Sequence, residues 1–361
     1  MPHTVVIAPD SFKGSASAAA VSTAIADGWA SVRDGDRIVR APMADGGEGT
    51  LDAFELAVPA AIRHRLTVLG PAGTDVDASW LQLPHGTAVV ELAETSGLAH
   101  MPALAPLDAH TFGFGQAIAA ALDAGATGLL LAIGGSASTD GGVGALAALG
   151  ARFTDASGRP IRLGNRGLGT LARADLSGLP ALPPGGVRIL SDVTNPLLGP
   201  AGAAAVFGPQ KGASPEQVIG LESGLVRLAR VLGRRADAVG AGAAGGTGYG
   251  LLAWGATLAP GAAAVGEALG LPDLVAGADA VITGEGRFDA QSAAGKVPDY
   301  VAGLAVAAGV PVMLVAGAIE APTGAFAQAV SLSDLAGGAE AAIADAVRWA
   351  REAGATLAGR D

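Results

Sequence analysis

The stretch Leu129–Gly142, LLLAIGGSASTDGG, decides how this chain is read. Four apolar residues and an alanine run into Gly134-Gly135. Ser136, Ser138, Thr139 and Asp140 follow, then Gly141-Gly142 and the helical run Val143–Gly150. The pattern predicts a buried strand, a glycine turn and a helix start. Hydroxyls and one carboxylate are concentrated at the turn. N–H groups at a helix start have no internal partner and favour anions. Glycines let an oxyanion approach that backbone closely. The reading is a bound anion, a phosphate, with Asp140 placed to hold a metal or a hydroxyl. A plain strand–turn–helix connection with a Ser/Thr/Asp cap is the alternative at this point.

Working outward, the same alternation recurs. Thr4–Ala8 is a short apolar run, as expected of a buried parallel strand. Ser15-Ala16-Ser17 caps a helix to about Trp29. Arg37–Ala41 is a second strand and Thr50–Ala57 a second helix. The texture then changes. Ile62–Leu69, Ala78–Leu83 and Ala88–Leu92 are separated by Gly-Pro and Pro-His-Gly turns and read as antiparallel strands of another domain. A helix over Phe114–Ala124, a loop-rich stretch over Gly158–Gly186 and a strand over Val187–Leu190 follow. Helices are expected at Pro215–Leu232 and Gly250–Leu269. A strand at Ala280–Thr283 ends in GEGRFD. A helix over Val297–Ala308, a strand over Val312–Val315, an apolar stretch at Ala327–Leu332 and a helix over Gly338–Glu352 complete the order.

At 361 residues, two domains are expected. The simplest topology joins the two chain ends as one doubly wound parallel sheet. The expected boundaries are 1–62 with 258–361, and 63–257 for the inserted α/β domain with antiparallel strands. A ligand is expected in a cleft between them.

Half the residues are apolar, but the excess is Ala, Val and Leu, and aromatics are only 4%, so a closely packed α/β core is expected. A net charge of −11 argues against nucleic acid or an anionic membrane as partner. With no cysteine, disulfides, thiolate catalysis and Cys-ligated metals are excluded. The five histidines show no metal-ligand spacing. The start runs directly into a strand, so no export leader is expected. Ala238–Gly266 and Tyr300–Ile319 are uncharged but broken by Pro260 and by Gly309-Val310-Pro311, so they read as core and not as spans. A cytoplasmic monomer or homodimer is expected.

Polar clusters recur where apolar runs end, which is where open α/β sheets bind ligands. Asp10, Ser11 and Lys13 follow the first strand. Asp45 and Glu48 sit among glycines after the second. Glu91 and Glu94 end a strand of the inserted region. Asp192 and Asn195 follow Val187–Leu190, with Lys211 close behind in GPQKG. Gly245–Gly250 is a further glycine-rich turn. Glu285, Arg287 and Asp289 follow Ala280–Thr283, with Gln291 and Lys296 beyond. Many acids, a few cations and glycine turns, with no Ser-His-Asp or Cys-His set, suit phosphoryl transfer. A P-loop, protein-kinase motifs and an opening G-x-G-x-x-G are absent. A phosphatase acting on a small phosphorylated acid and a non-catalytic organic-acid sensor are the rival classes.

The segments APDSFKGS, PMADGGEGT, ELAETSGL, IGGSASTDGG, SDVTNPLLG, FGPQKGA and ITGEGRFDAQSAAGKVP also resemble, in order, the bacterial two-domain glycerate kinases. The resemblance spans Ala8 to Pro298. It implies ATP-dependent phosphorylation of D-glycerate, at the 2-position in preference to the 3-position, with Mg²⁺. It also implies a flavodoxin-like domain formed by both chain ends. Under it, Asp192 is the expected base, and Lys13, Lys211 and Arg287 the cations for carboxylate and phosphates. Gly134, Gly135, Ser136, Ser138, Thr139 and Gly141 are expected to hold the ATP phosphates. Asp140 and Glu48 are the expected metal ligands. Asp10, Ser11, Asp45, Asn195, Glu285 and Asp289 are expected to bind substrate.

Overall fold

A computed structural model describes residues 2–289 and 296–359. Its strands are β1 (Thr4–Pro9), β2 (Arg37–Arg40), β3 (Ile62–Leu69), β4 (Asp75–Gln82), β5 (Thr87–Glu91), β6 (Gly128–Ala132), β7 (Arg152–Thr154), β8 (Arg173–Asp175), β9 (Val187–Leu190), β10 (Thr257–Ala259), β11 (Ala280–Phe288), β12 (Val312–Ile319) and β13 (Gln328–Ser331). The chain forms two compact units. One comprises Met1–Asp45, Asp52–Pro59 and Pro260–Asp361, the other Gly46–Leu51 and Ala60–Ala259. Hydrogen bonds place Gly46–Leu51 in the second. The Gly134 N–H donates to the Gly46 carbonyl, and the Gly49 and Leu51 N–H groups donate to the Glu91 carboxylate.

The first unit is built on a parallel sheet in the order β13-β12-β11-β1-β2. Numbered within this unit, that is 2-1-3-4-5, the flavodoxin-like order, with its switch point between β1 and β11. Val5, Ile7, Ile282 and Val315 fill the sheet's core with Ile25, Trp29 and Leu357. The helix Ala18–Ala30 begins at Ser17, whose hydroxyl accepts the Ala20 N–H. It packs on the helix Ala346–Ala358 with almost no gap. A Cβ on Gly28 would meet the Arg351 carbonyl, and one on Gly354 would meet the Ile25 carbonyl. Two reciprocal glycines thus set the approach of this helix pair.

The second unit holds a mixed sheet in the order β10-β9-β6-β5-β4-β3. β5, β6, β9 and β10 are parallel, and β4 and β3 run antiparallel to their neighbours. β7 and β8 form a separate hairpin-like pair. The helix Pro215–Leu232 has a full capping box between Ser214 and Gln217 and ends at Gly233 in the left-handed region.

Three local expectations change. The helix expected over Gly250–Leu269 is two helices, Ala243–Trp254 and Gly261–Ala268, with β10 between them. Gly255 at φ +112° stops the first, and pairing with β9 extends the chain as a strand. The helix expected over Gly338–Glu352 breaks at Asp345. There the Asp345 carboxylate accepts the Arg348 N–H and restarts the helix. GEGRF is not a loop: β11 continues through Phe288 because β12 stays paired with it. No helix among the described residues is long and apolar enough to cross a membrane.

Gly354→Ala drives a methyl group into the Ile25 carbonyl, a backbone atom that cannot turn aside. It is expected to destabilise the first unit by about 1–3 kcal/mol, read as a lowered denaturation midpoint. An unchanged midpoint would show that the two helices can part without cost.

Candidate active site

Charged and polar residues expected to be functional converge at strand ends in each unit. In the first, Asp10 follows β1 and its N–H donates to the Gly284 carbonyl of β11. β1 stops at the Pro9–Gly284 pair, while β11 runs on beside β12 alone. Glu285 to Phe288 therefore overhang the switch point. A cavity of about 400 Å³ opens there, lined by Asp10, Ser11, Lys13, Asp45, Glu285, Arg287 and Asp289. The sequence pointed to all of these. Ser15, Lys296 and Ser333 also line it, together with the apolar Leu332, Ala342 and Ile343.

The charges in this cavity oppose one another. Lys13 Nζ lies 2.7 Å from Asp45 Oδ2. Burial pushes the Asp10 carboxyl up to about 7, helped by the neighbouring Asp45 and Glu285 charges. Lys13 and the Ser11 N–H work the other way without cancelling them. For Lys13, burial pulls the ammonium down, but the charge and hydrogen bond of Asp45, with Asp10 and Glu285, hold it above its usual range. Arg287 is exposed, with Nε 3.6 Å from Glu320 Oε1.

In the second unit, β5, β6 and β9 end at one edge. The loop after β6 carries Gly134–Gly142. Asp140 is fully buried within it. Its Oδ2 accepts from the Thr111 N–H, the Thr111 hydroxyl and the Gly144 N–H, and its Oδ1 accepts from the Gly142 N–H. The Thr111 hydroxyl in turn accepts the Ala145 N–H. One carboxylate thereby joins the starts of the helices Phe112–Asp123 and Val143–Ala148. Behind the loop, Gly141 N–H donates to the Gly245 carbonyl. Ala244, Gly245 and Gly246 are all left-handed, and a Cβ on Gly245 would strike the Ser138 carbonyl. The glycine turn at Gly245–Gly250 is therefore a packing surface for the loop. Among the described residues, the Ser138 and Thr139 N–H groups and the buried Thr139 hydroxyl have no hydrogen-bond partner.

Several site residues differ from expectation. Asp140 is not an open metal ligand: it is enclosed and its oxygens are taken up by the chain's own donors. Glu48 is exposed. No cluster of three or more His, Asp or Glu arranged to hold a metal occurs among the described residues. Lys211 is buried, only 3% exposed, with Nζ donating to the Ser138 carbonyl and lying 3.3 Å from Ser136 Oγ. Burial pulls its ammonium down to about 7, against the pull of Asp140. Asn195 spends its amide N–H on the Ala201 carbonyl, closing its own loop. Asp192 stands exposed just past β9. Glu91 caps Gly49 and Leu51. Gln291 lies outside the described residues. Thr111 was missed because the helix after it was expected to start at Phe114 and not Phe112, which hid its place just before the first turn.

The chain matches the family model described as the glycerate kinase family over residues 5–360. Glycerate 2-kinase of Escherichia coli (strain K12) is 44% identical over 334 residues, covering 90% of this chain and 87% of that protein. Glycerate kinase of Bacillus subtilis (strain 168) matches at the same identity and coverage. A crystal structure described as "putative glycerate kinase 2" from Salmonella typhimurium LT2 aligns with a TM-score of 0.84 at 41% identity, covering 99% of this chain and 98% of that one. Fold and matches together define an enzyme of the small-molecule kinase class. The chain belongs to the glycerate kinase family.

The raised Asp10 carboxyl has a consequence for stability. The folded state holds this proton more tightly than the unfolded chain, so charging Asp10 costs stability as pH rises from about 4 through about 7. Asp10→Asn removes that cost. It is expected to raise the melting temperature relative to the parent at pH 8, with the gap closing towards pH 4. Equal gaps at both pH values in calorimetry would show that Asp10 carries no such penalty.

Proposed function

We propose that this chain transfers the γ-phosphoryl group of ATP to D-glycerate, at the 2-hydroxyl. The observation that carries this reading is the buried glycine loop whose Ser138 and Thr139 N–H groups lack partners among the described residues. Such amides are costly to bury unpaired and are suited to phosphate oxygens. Ser138 and Thr139 take the phosphates in this reading, while Gly134, Gly135, Ser136 and Gly141 shape the loop that presents them: the Gly134 and Gly141 N–H groups are spent on the Gly46 and Gly245 carbonyls, and the Ser136 hydroxyl on Lys211 and Ser138. The name of the Escherichia coli relative favours the 2-position.

The cavity of the first unit takes glycerate. Lys13 and Arg287 attract its carboxylate, and Asp10, Asp45, Glu285 and Asp289 can accept hydrogen bonds from its hydroxyls. Ser11 adds a hydroxyl. Asp192 serves as base: the glycerate oxygen attacks the γ-phosphorus, its proton passes to the Asp192 carboxylate, and ADP leaves with the bridging oxygen's electron pair. Positioning and charge neutralisation supply most of the catalysis in such transfers. Asp140, enclosed by the chain's own donors, does not fit a metal-ligand role, and no step is routed through a metal bound by it or by Glu48. Mg²⁺ would instead enter on the ATP phosphates, where it neutralises charge. The protein works in the cytoplasm in this reading.

The deciding assay supplies ATP, Mg²⁺ and D-glycerate and resolves 2- from 3-phosphoglycerate. Formation of 2-phosphoglycerate is expected. Hydrolysis of a phosphate ester without transfer from ATP would favour a phosphatase instead. Asp192→Asn is expected to lower kcat by about 10²–10⁴ with little change in KM. Activity near that of the parent would remove Asp192 from the role of base. Lys13→Ala is expected to raise the KM for glycerate, and unchanged KM and kcat would take Lys13 out of the site.

A further inference from the structure

We propose that Lys211 is a positioning residue, whose buried ammonium sets the peptide orientation of the Ser136–Asp140 loop and does not itself touch substrate. The proposal rests on the reading of that loop as the nucleotide phosphate site.

Lys211 closes the short turn Pro209–Lys211, and Gly212 at φ +87° turns the chain away directly after it. Its side chain runs inward beneath the loop. Nζ donates to the Ser138 carbonyl and lies within reach of the Ser136 hydroxyl. The Ser136 hydroxyl also lies 3.3 Å from the Ser138 carbonyl oxygen and 3.2 Å from Ser138 Oγ. Gly245 leaves the space: a Cβ there would stand 2.9 Å from Nζ. No carboxylate forms an ion pair with Lys211 among the described residues, so its contacts are a carbonyl and a hydroxyl of one loop. Burying a cation on such partners is costly. An apolar side chain would fill the same space without that cost, but it could not hold the carbonyl.

The orientation of one peptide follows. In a trans peptide the carbonyl and the following N–H point to opposite sides. A Ser138 carbonyl held towards Nζ turns the Thr139 N–H the other way. That N–H is one of the amides that find no acceptor among the described residues. Lys211 thus keeps this peptide from flipping and offering its carbonyl to an anion. Its positive charge behind the loop favours an anion in front. Asp140 fixes the helix side of the same loop through Gly142 and Gly144, so the two buried charges hold adjacent halves.

The test uses the full-length enzyme and its Lys211→Met and Lys211→Ala variants. A non-hydrolysable ATP analogue is titrated by calorimetry, KM is measured for both substrates, and hydrogen exchange is followed over residues 134–142. Lys211→Met is expected to weaken analogue binding by about tenfold or more and to lose the analogue's protection of 134–142. The KM for glycerate is expected to stay within roughly twofold. Methylammonium is expected to restore part of the analogue affinity in Lys211→Ala. A raised glycerate KM with unchanged analogue affinity would overturn the proposal in favour of direct substrate contact. Unchanged affinity without amine rescue would also overturn it. If the Lys211 variants do not fold, Ser136→Ala, which removes only the hydroxyl partner, must show a smaller loss of analogue affinity in the same direction, and no loss counts against the proposal. If the analogue fails to slow exchange over 134–142 in the parent enzyme, the phosphate reading of the loop fails instead, and that result is separate from those above.

Discussion

The hydrogen bonds onto Asp140 are the constraint on which the second unit depends. A buried carboxylate is tolerable only when donors replace its lost water. Here Thr111, Gly142 and Gly144 provide them. The same bonds satisfy N–H groups at two helix starts that would otherwise be unpaired. One side chain therefore meets two needs, and the glycine loop is stretched between fixed points. Gly144 must lack a Cβ, because one would press on Asp140 Oδ2 and the Thr111 N–H. The left-handed backbone at Ala244–Gly246 then packs beneath the loop. Ala244 is the one non-glycine residue with positive φ among the described residues, a strain concentrated where the loop needs support.

The first unit solves a different problem. Its sheet order opens a crevice between β1 and β11, and the overhang of β11 brings carboxylates and cations to it. Asp10, Asp45 and Glu285 are held closer than their charges favour, with Lys13 as the offsetting ion. Such opposed groups cost stability in the empty protein and are characteristic of functional sites. The tight packing of the helices Ala18–Ala30 and Ala346–Ala358 supplies a rigid support for this sheet, through burial and close backbone approach.

Much of this was legible in the residues. Continuous apolar runs such as Thr4–Ala8 and Leu129–Ile133 announce parallel strands, because both faces of such strands are covered. Glycine and proline mark where they end, and the polar clusters at those ends mark the candidate site. The failures are as instructive. β10 was hidden inside a helical pattern, because its extended form comes from pairing with β9. β11 outran its apolar run for the same reason, held straight by β12. Thr111 carried no signal of its own once the next helix was started two residues late.

The sequence by itself determined the alternation of strands and helices, the glycine turns, and which residue types gather at strand ends. These are local properties, set by periodicity, backbone freedom and the chemistry of adjacent side chains. Only the tertiary structure decided what each charged side chain does. Asp140 and Lys211 read along the chain as groups offered to a ligand. Folding buries both, because Thr111 arrives from 29 residues upstream and Gly245 from 34 residues beyond Lys211 to close around them. Burial and hydrogen-bond partners are long-range properties, and they separate a charge that meets a ligand from one that holds the site in shape.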